Sequence, residues 1–298
     1  AAEEDLLHHF FKFLEQYKTL VHFNGDGFDI PFLLKRCKHF NLPYSFDNVA
    51  SFDIYKKVKP YRNLLGLDSL KQKSIEQFLE ISRTDKYNGG QLIEVYKDYL
   101  MTHEEGLYDL LILHNEDDLK GMPSILPILN YPDLLEHAFT LKEQQIVDES
   151  LADGQIRHLL KLTCQSPYSI PVPVQAAMPP ARCRIEQDQV TFFVELTEGT
   201  LKHFYLDYKD YYYLPFEDRA VHKSIGACVD KEARIKATAS NCYTKTTGFF
   251  LPQFEAIWEP VMKQEYKDKM LYAALGDVYL ADEAALQKYI KAILSYLK

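Results

Sequence analysis

The first 130 residues alternate between helical and strand-like hydrophobic patterns. Apolar side chains recur at helical spacing over residues 4–18, and a short apolar run at 19–23 predicts a buried strand. A second helical pattern covers residues 28–40, with Pro31 in its first turn, and a second apolar run covers 48–52. Further helices are predicted at about 69–80, 89–101 and 104–121. This succession predicts parallel strands in an α/β layer.

Two strands are too few for a stable α/β sheet. The chain begins with Ala1 and carries no initiator methionine. We therefore expect the natural start of the protein to lie upstream, with opening strands that complete the sheet.

The second half of the chain has a different pattern. Five prolines interrupt residues 167–180, as is typical of an irregular connection. Alternating stretches then predict a small antiparallel sheet, and two helical patterns close the chain. The alternating stretches are residues 189–196, 201–214, 234–243 and 248–251, and the closing helical patterns are residues 253–275 and 282–297. The sequence thus predicts an α/β domain at residues 1–140 and a smaller α+β domain at residues 150–298.

Composition narrows the class of protein. The chain has 298 residues, of which 47% are hydrophobic, so it can bury a sizeable core in two domains. It contains no apolar run long enough to cross a membrane, and we expect a soluble cytoplasmic protein. The five cysteines are scattered, with no Cys-x-x-Cys pair. They are predicted to be reduced and mostly buried.

Charge is unevenly distributed along the chain. The net charge of −9 argues against indiscriminate nucleic-acid binding. Residues 35–73 nevertheless hold nine lysines and arginines against three aspartates. An acidic protein therefore carries one basic stretch, which a nucleic-acid-binding surface would require.

The first candidate for chemistry is the segment 24–29. Gly25 and Gly27 allow a sharp turn after a strand, and Asp29 begins the next helix. Ligands of α/β folds bind at this edge of the sheet, so Asp29 is a candidate metal ligand. The alternative is that Asp29 serves only as a helix N-cap.

The second candidate is the segment 114–118. His114 and Asp118 are four residues apart on a predicted helix, so they share a face with Leu107, Leu110 and Leu111. That face is expected to be largely buried, which favours a site. The alternative is a solvated acidic surface beside a hydrogen-bonded core histidine.

The order of these segments resembles one family. The segments FNGDGFDIPFL (23–33), SFDIYKKV (51–58) and HNEDDL (114–119) follow each other as in the DEDD 3′–5′ exonuclease superfamily. The likeness is greatest to its bacterial YprB-type ribonuclease H-like domains and spans about residues 4–130. The resemblance implies an RNase H-like fold and two Mg²⁺ or Mn²⁺ ions held by four carboxylates.

The family's functional residues carry over only in part. The resemblance implies metal ligation and catalysis by Asp29 and Asp118, with Asn24 and Phe28 as supporting residues that contact nucleic acid. His114 occupies the position of the family's catalytic tyrosine. The family's first motif, Asp-x-Glu, has no counterpart in the given sequence. The chain is therefore expected to have an incomplete two-metal site and to bind the ions poorly.

Basic residues beside the first motif complete the functional hypothesis. Lys35, Arg36 and Lys38 are candidate phosphate contacts, and their alternative is an ordinary solvated helix face. The expected function is 3′–5′ exonuclease action on a DNA or RNA single strand by two-metal hydrolysis. The alternative is a non-catalytic nucleic-acid-binding or scaffolding protein.

Five tyrosines of the second half allow two interpretations. They could stack on bases, or alternate members could fill the core of the small sheet while the rest lie on its surface, and the second interpretation is favoured. They are Tyr205, Tyr208, Tyr211, Tyr212 and Tyr213.

Overall fold

Two compact units make up the chain in the computed structural model, which describes residues 2–82, 87 and 89–298. The first unit comprises Ala1–His137, Tyr168–Val174 and Glu186–Asp188. The second unit comprises Ala138–Pro167, Gln175–Ile185 and Gln189–Lys298.

The first unit combines helices with a pair of parallel strands. Its elements are α1 (Ala2–Leu14), β1 (Thr19–His22), α2 (Asp29–His39), β2 (Ala50–Asp53), α3 (Ile54–Val58), α4 (Gln72–Phe78), α5 (Gly89–Thr102), α6 (Glu105–Ser124) and α7 (Asn130–Glu136). β1 and β2 pair in parallel, with Thr19 opposite Ala50 and His22 opposite Asp53. The predicted alternation of helices and parallel strands is confirmed.

Two groups of apolar side chains form the core of this unit. α1 contributes Leu7, Phe11 and Leu14, which recur on one helix face and pack with Cys37 of α2. The second group is fully buried and comes from several elements, among them Ile54 and Val58 of α3, Ile75 of α4, and Tyr131 and Leu134 of α7. The first group packs α1 against α2, with Leu20 of β1 beside it.

Two expectations about burial were wrong. The strand β1 was predicted to be buried, yet its residues are exposed or half-buried, and Val21 is 45% exposed. The reason is that β2 is its one partner strand among the described residues. The face of α6 that carries His114 was predicted to be largely buried. Leu107, Leu110 and Leu111 are half-buried, and Gly121 is the one fully buried residue in the described helix.

Strands dominate the remainder of the chain. They are β3 (Thr140–Ser150), β4 (Ile156–Gln165), β5 (Val174–Met178), β6 (Ala181–Glu186), β7 (Gln189–Glu195), β8 (Thr197–Phe204), β9 (Tyr211–Leu214), β10 (Arg219–His222), β11 (Ile235–Lys236), β12 (Tyr243–Gln253) and β13 (Leu271–Ala274). The helices are α8 (Lys223–Gly226) and α9 (Glu283–Leu297). Within the described residues the strands form sheets of order β3-β4-β7-β6-β5, β13-β12-β8 and β10-β9-β11. β4 pairs antiparallel with β3 and β7, and β12 pairs antiparallel with β8 and β13. The predicted succession of an α/β region and a region with antiparallel sheets is therefore confirmed.

One predicted helix does not exist. Residues 253–275 hold the end of β12, an irregular segment and β13. Pro260 has no N–H for a helical hydrogen bond. The buried Gln253 side chain instead accepts from the main-chain N–H groups of Ile257 (3.0 Å) and Trp258 (2.8 Å). This side chain stabilises a turn where the periodicity predicted a helix.

Several smaller predictions are confirmed. The stretch 189–196 forms β7, and the stretch 282–297 forms α9. Four cysteines are buried and Cys228 is exposed, and all five are free. Four of the tyrosines pack against a buried cluster in the second unit, which confirms the core interpretation for Tyr205, Tyr208, Tyr211 and Tyr213.

None of the described helices is both long and apolar enough to span a bilayer.

Candidate functional site

The turn between β1 and α2 positions the first group of predicted site residues. Asn24 has a φ of 59°, in the left-handed region that asparagine tolerates better than most residues. Hydrogen bonds from Gly27 N to Asn24 O (3.1 Å) and from Ile30 N to Gly25 O (2.9 Å) close the turn. The chain thereby enters α2 at Asp29, directly beside the end of β1.

Phe28, and not Asp29, occupies the N-cap position of α2. Phe28 makes no capping hydrogen bond, and Asp29 is the first helical residue with an exposed side chain. Asp29 therefore does not act as the cap, contrary to the alternative raised by the sequence. Its carboxylate lies in the first turn, where the helix dipole favours negative charge.

A cavity of about 590 Å³ opens beside this turn. Asn24, Phe28 and Asp29 line it, together with Arg62 and Lys71. Three of the predicted site residues thus lie together, and two cationic side chains that the prediction did not single out lie with them. The cavity is at the carboxyl end of β1, where ligands of α/β folds bind.

Arg62 is held in place by main-chain acceptors. Its Nε donates to Leu67 O at 3.1 Å, and its Nη2 donates to Asp68 O at 2.5 Å. These bonds tie the guanidinium to the loop that continues into the lining residues Ser69 to Gln72. Among its described lining residues the cavity therefore has one acidic side chain, Asp29, and two cationic ones, Arg62 and Lys71.

His114 and Asp118 form a pair on α6. His114 Nε2 lies 3.4 Å from Asp118 Oδ2, and the two side chains are 20% and 43% exposed. Gln72 of α4 donates from Nε2 to Asp118 O at 3.0 Å, and Gln72 also lines the cavity that contains Asp29. Gln72 therefore connects the cavity to α6. No motif in the sequence indicates this role.

The predicted basic residues lie on α2, outside the described lining of the cavity. Lys35 and Lys38 are exposed. Arg36 forms a two-pronged ion pair with Glu3, and its guanidinium lies 5.3 Å from the ring centre of Phe40. The hydrogen bond from Arg36 lowers the pKa of Glu3.

The ends of β1 and β2 bring together a group that the sequence interpretation did not identify. His22 and Asp53 are the last residues of their strands and lie opposite each other in the register. Asp26, in the turn after β1, joins them. One donor atom of each side chain lies within 4.8 Å of the other two, so the three could hold a metal ion. Among residues 2–82, 87 and 89–298 this is the one group of three or more such side chains with that geometry.

Polar contacts surround this group. Ser51 Oγ lies 2.7 Å from His22 Nε2 and donates to Asp26 Oδ1 at 2.5 Å. Lys56 Nζ donates to Asp26 Oδ2 at 2.6 Å. The hydrogen bond from Lys56 is the main cause that lowers the pKa of the Asp26 carboxyl group, and the same contact raises the pKa of Lys56.

Comparison with known proteins relates the N-terminal region to one superfamily. Residues 1–130 match the family model described as the RNase H superfamily. No curated protein and no solved structure matches the chain. The matched residues contain the turn, the cavity, the His114–Asp118 pair and the three-residue group, so each of these features belongs to an RNase H-like region.

Proposed function

We propose that the N-terminal region is a metal-dependent nuclease that removes nucleotides from the 3′ end of a DNA or RNA single strand. The observation that carries the proposal is the position of Asp29. It begins a helix directly after a parallel strand, it lines a cavity with cationic side chains, and it lies within the residues that match the RNase H superfamily.

Mg²⁺ or Mn²⁺ fits the side chains that the proposal assigns to it. Both ions prefer carboxylate oxygens, and Asp29 and the partly exposed Asp118 each offer a carboxylate at the surface. These two residues would hold the metal. When bound, the ions supply activation of a water molecule and stabilisation of the leaving 3′ oxygen.

His114 is assigned a proton-handling and positioning role. Its Nε2 lies 3.4 Å from Asp118 Oδ2, so the imidazole limits the orientations open to that carboxylate. An imidazole can also accept a proton from water at neutral pH. His114 therefore orients Asp118 and receives the proton that the attacking water loses.

The cavity supplies contacts for the nucleic acid strand. Lys71 and Arg62 place positive charge beside Asp29, as phosphate groups require. Phe28 is 70% exposed and lies on the same cavity, where its ring can stack on a base. Lys35 and Lys38 extend the positive charge along α2 towards the rest of the bound nucleic acid.

Digestion of an end-labelled single strand by the full chain tests the proposal. With Mn²⁺ in excess and a label at the 5′ end, we expect slow digestion to products that shorten stepwise from the 3′ end, because the sequence supplies only two of the four carboxylates of the family's site. Asp29→Asn and Asp118→Asn should each slow digestion by about 100-fold or more, because each removes a metal-binding charge. The matched control is Asp47→Asn, which changes an exposed carboxylate of the same unit and should leave digestion unchanged.

Two results would contradict the proposal. One is full digestion by Asp29→Asn or Asp118→Asn. The other is an undigested strand that the chain nevertheless binds, which would instead support the non-catalytic nucleic-acid-binding alternative.

A further inference from the structure

We infer that His22, Asp26 and Asp53 bind a single divalent ion of the first transition series, with ligands other than Asp29 and Asp118. This inference does not depend on nuclease activity. It follows from the register of two strands, from a buried oxygen atom that lacks a partner, and from the chemistry of the three donor groups.

The fold builds the site from two strand ends. β1 and β2 are parallel neighbours, so their opposed residues His22 and Asp53 project from the same face of the pair. The turn that follows β1 returns Asp26 to the same place, where its Oδ1 lies 3.3 Å from His22 Nε2. Two ligands bound at about 2.1 Å to a tetrahedral ion are about 3.4 Å apart, so this spacing already suits a shared ion.

Asp53 provides an independent indication that the group binds a cation. Its side chain is 2% exposed, and its Oδ1 accepts from Asn24 N (2.8 Å) and Tyr55 N (3.0 Å). Its Oδ2 is buried and has no hydrogen-bond partner in the part of the chain that the structure describes. This atom points into the group, 3.9 Å from His22 Nδ1, which is beyond hydrogen-bond distance. A buried carboxylate oxygen without a partner costs free energy, and a bound cation would remove that cost.

Gly25 fits the backbone closely around the histidine ring. A Cβ at this position would lie 2.7 Å from His22 Nδ1, closer than real Cβ atoms approach, so a larger residue would displace the imidazole. The Gly25 N–H also donates a hydrogen bond to His22 Nδ1 at 3.0 Å, and an ion bound through Nδ1 would replace that bond. The turn therefore holds the ring between the two carboxylates, with Nε2 beside Asp26 and Nδ1 beside Asp53.

The donor set selects the class of ion. One imidazole nitrogen and two carboxylate oxygens suit Zn²⁺ and Mn²⁺, whereas Mg²⁺ and Ca²⁺ prefer oxygen ligands alone. For a given set of ligands Zn²⁺ binds more tightly than Mn²⁺. The expected order of affinity is therefore Zn²⁺, then Mn²⁺, with Mg²⁺ and Ca²⁺ far weaker.

Lys56 competes with the ion. Its ammonium group donates to Asp26 Oδ2 at 2.6 Å, and its side chain is 62% exposed, so it can move into solvent when an ion arrives. Removal of this positive charge should strengthen metal binding. A group of side chains that serves only to stabilise the fold gives no reason for such an effect.

Calorimetric titration with ZnCl₂ tests the site. The parent protein is the full chain with Cys228→Ser, which removes the one exposed thiol, and with Asp29→Asn and Asp118→Asn, which remove the ligands of the other proposed site. We expect one Zn²⁺ per chain. His22→Gln and Asp26→Asn should each weaken binding by about tenfold or more. Lys56→Gln should tighten binding by about threefold or more.

Asp47→Asn is the matched control, because Asp47 also accepts a hydrogen bond from a serine, Ser45, but lies outside the group. The Asp47→Asn variant should bind Zn²⁺ with the same affinity as the parent. Thermal unfolding provides a second measurement. Zn²⁺ should raise the midpoint of the parent and of Lys56→Gln, and should not raise that of His22→Gln.

Three results would overturn the inference. They are a parent protein that binds no Zn²⁺, an unchanged affinity in both His22→Gln and Asp26→Asn, and an unchanged or weaker affinity in Lys56→Gln. If His22→Gln or Asp26→Asn fails to fold, the Lys56→Gln comparison still decides the question, because it removes an exposed side chain.

Discussion

Asn24 donates its main-chain N–H to Asp53 Oδ1 at 2.8 Å, which ties the turn after β1 to the end of β2. The same oxygen accepts from Tyr55 N and caps α3. One buried carboxylate therefore fixes both the turn that presents Asp29 and the helix that follows the second strand.

Replacement of Asp53 should destabilise the first unit. Asp53→Ala loses a helix cap and a hydrogen bond to the turn, so we expect the free energy of unfolding to fall by about 2–4 kcal/mol. Asp53→Asn keeps an acceptor oxygen, so its free energy of unfolding should fall by less. Chemical denaturation measures both, with the exposed Asp47→Ala as control. Equal stability of Asp53→Ala and Asp47→Ala would contradict this role.

Gly121→Ala should also be destabilising, although alanine is the better helix former. A Cβ on Gly121 would collide with the carboxylate of Glu76, which is 1% exposed, and would lie 2.7 Å from Gln72 Nε2. We expect the free energy of unfolding to fall by about 1–3 kcal/mol as α4 and α6 separate. Gly106→Ala on the same helix meets no atom within 4 Å and is the control. Loss of stability in Gly106→Ala alone would refute the argument.

The parts of the fold that local pattern controls could be predicted from the sequence. Helical periodicity located α1, α2 and α6, and the two glycines located the turn before Asp29. Asp29 lies at a strand end beside a cavity because strand, turn and helix follow one another along the chain. These features depend on residues within a few positions of each other.

The parts that depend on distant pairing could not be predicted. His22 and Asp53 are 31 positions apart, and the register of β1 against β2 decides that they face each other. Periodicity carries no information about that register. The false helix at residues 253–275 has a similar cause, since Gln253 uses a side-chain amide to satisfy main-chain N–H groups in place of helical carbonyls.

Lys71→Gln should weaken binding of a single-stranded oligonucleotide. Lys71 is exposed and lines the cavity beside Asp29, so its loss removes one phosphate contact. We expect affinity to fall about threefold to tenfold, and the slope of log affinity against log salt to become shallower by about 0.7. Fluorescence anisotropy at several salt concentrations measures both quantities. Lys12→Gln, an exposed lysine on α1, is the control, and an equal loss in the two variants would show that Lys71 has no specific role.

Asp218 should make the stability of the second unit depend on pH. Its carboxylate pairs with Lys245 and accepts hydrogen bonds from Tyr213 and Tyr243, each at 2.5 Å. The Lys245 contact is the main cause that holds the pKa of Asp218 well below its usual range. Since an unfolded aspartate has a pKa of about 3.9, the charged carboxylate contributes its full stability above about pH 5 and loses it as the pH falls towards the folded-state value.

Asp218→Asn should therefore lower the free energy of unfolding by about 1 kcal/mol at pH 7, a modest amount because the side chain is 41% exposed. The difference from the native sequence should shrink between pH 5 and about pH 3, because protonation removes the same charge that the substitution removes. Chemical denaturation at pH 7, 4 and 3 measures the difference. Glu217→Gln, which changes an exposed acid in the same turn, should show little difference at any of these values. If the difference in free energy of unfolding between Asp218→Asn and the native sequence instead grows as the pH falls, the charged carboxylate does not stabilise the turn between β9 and β10.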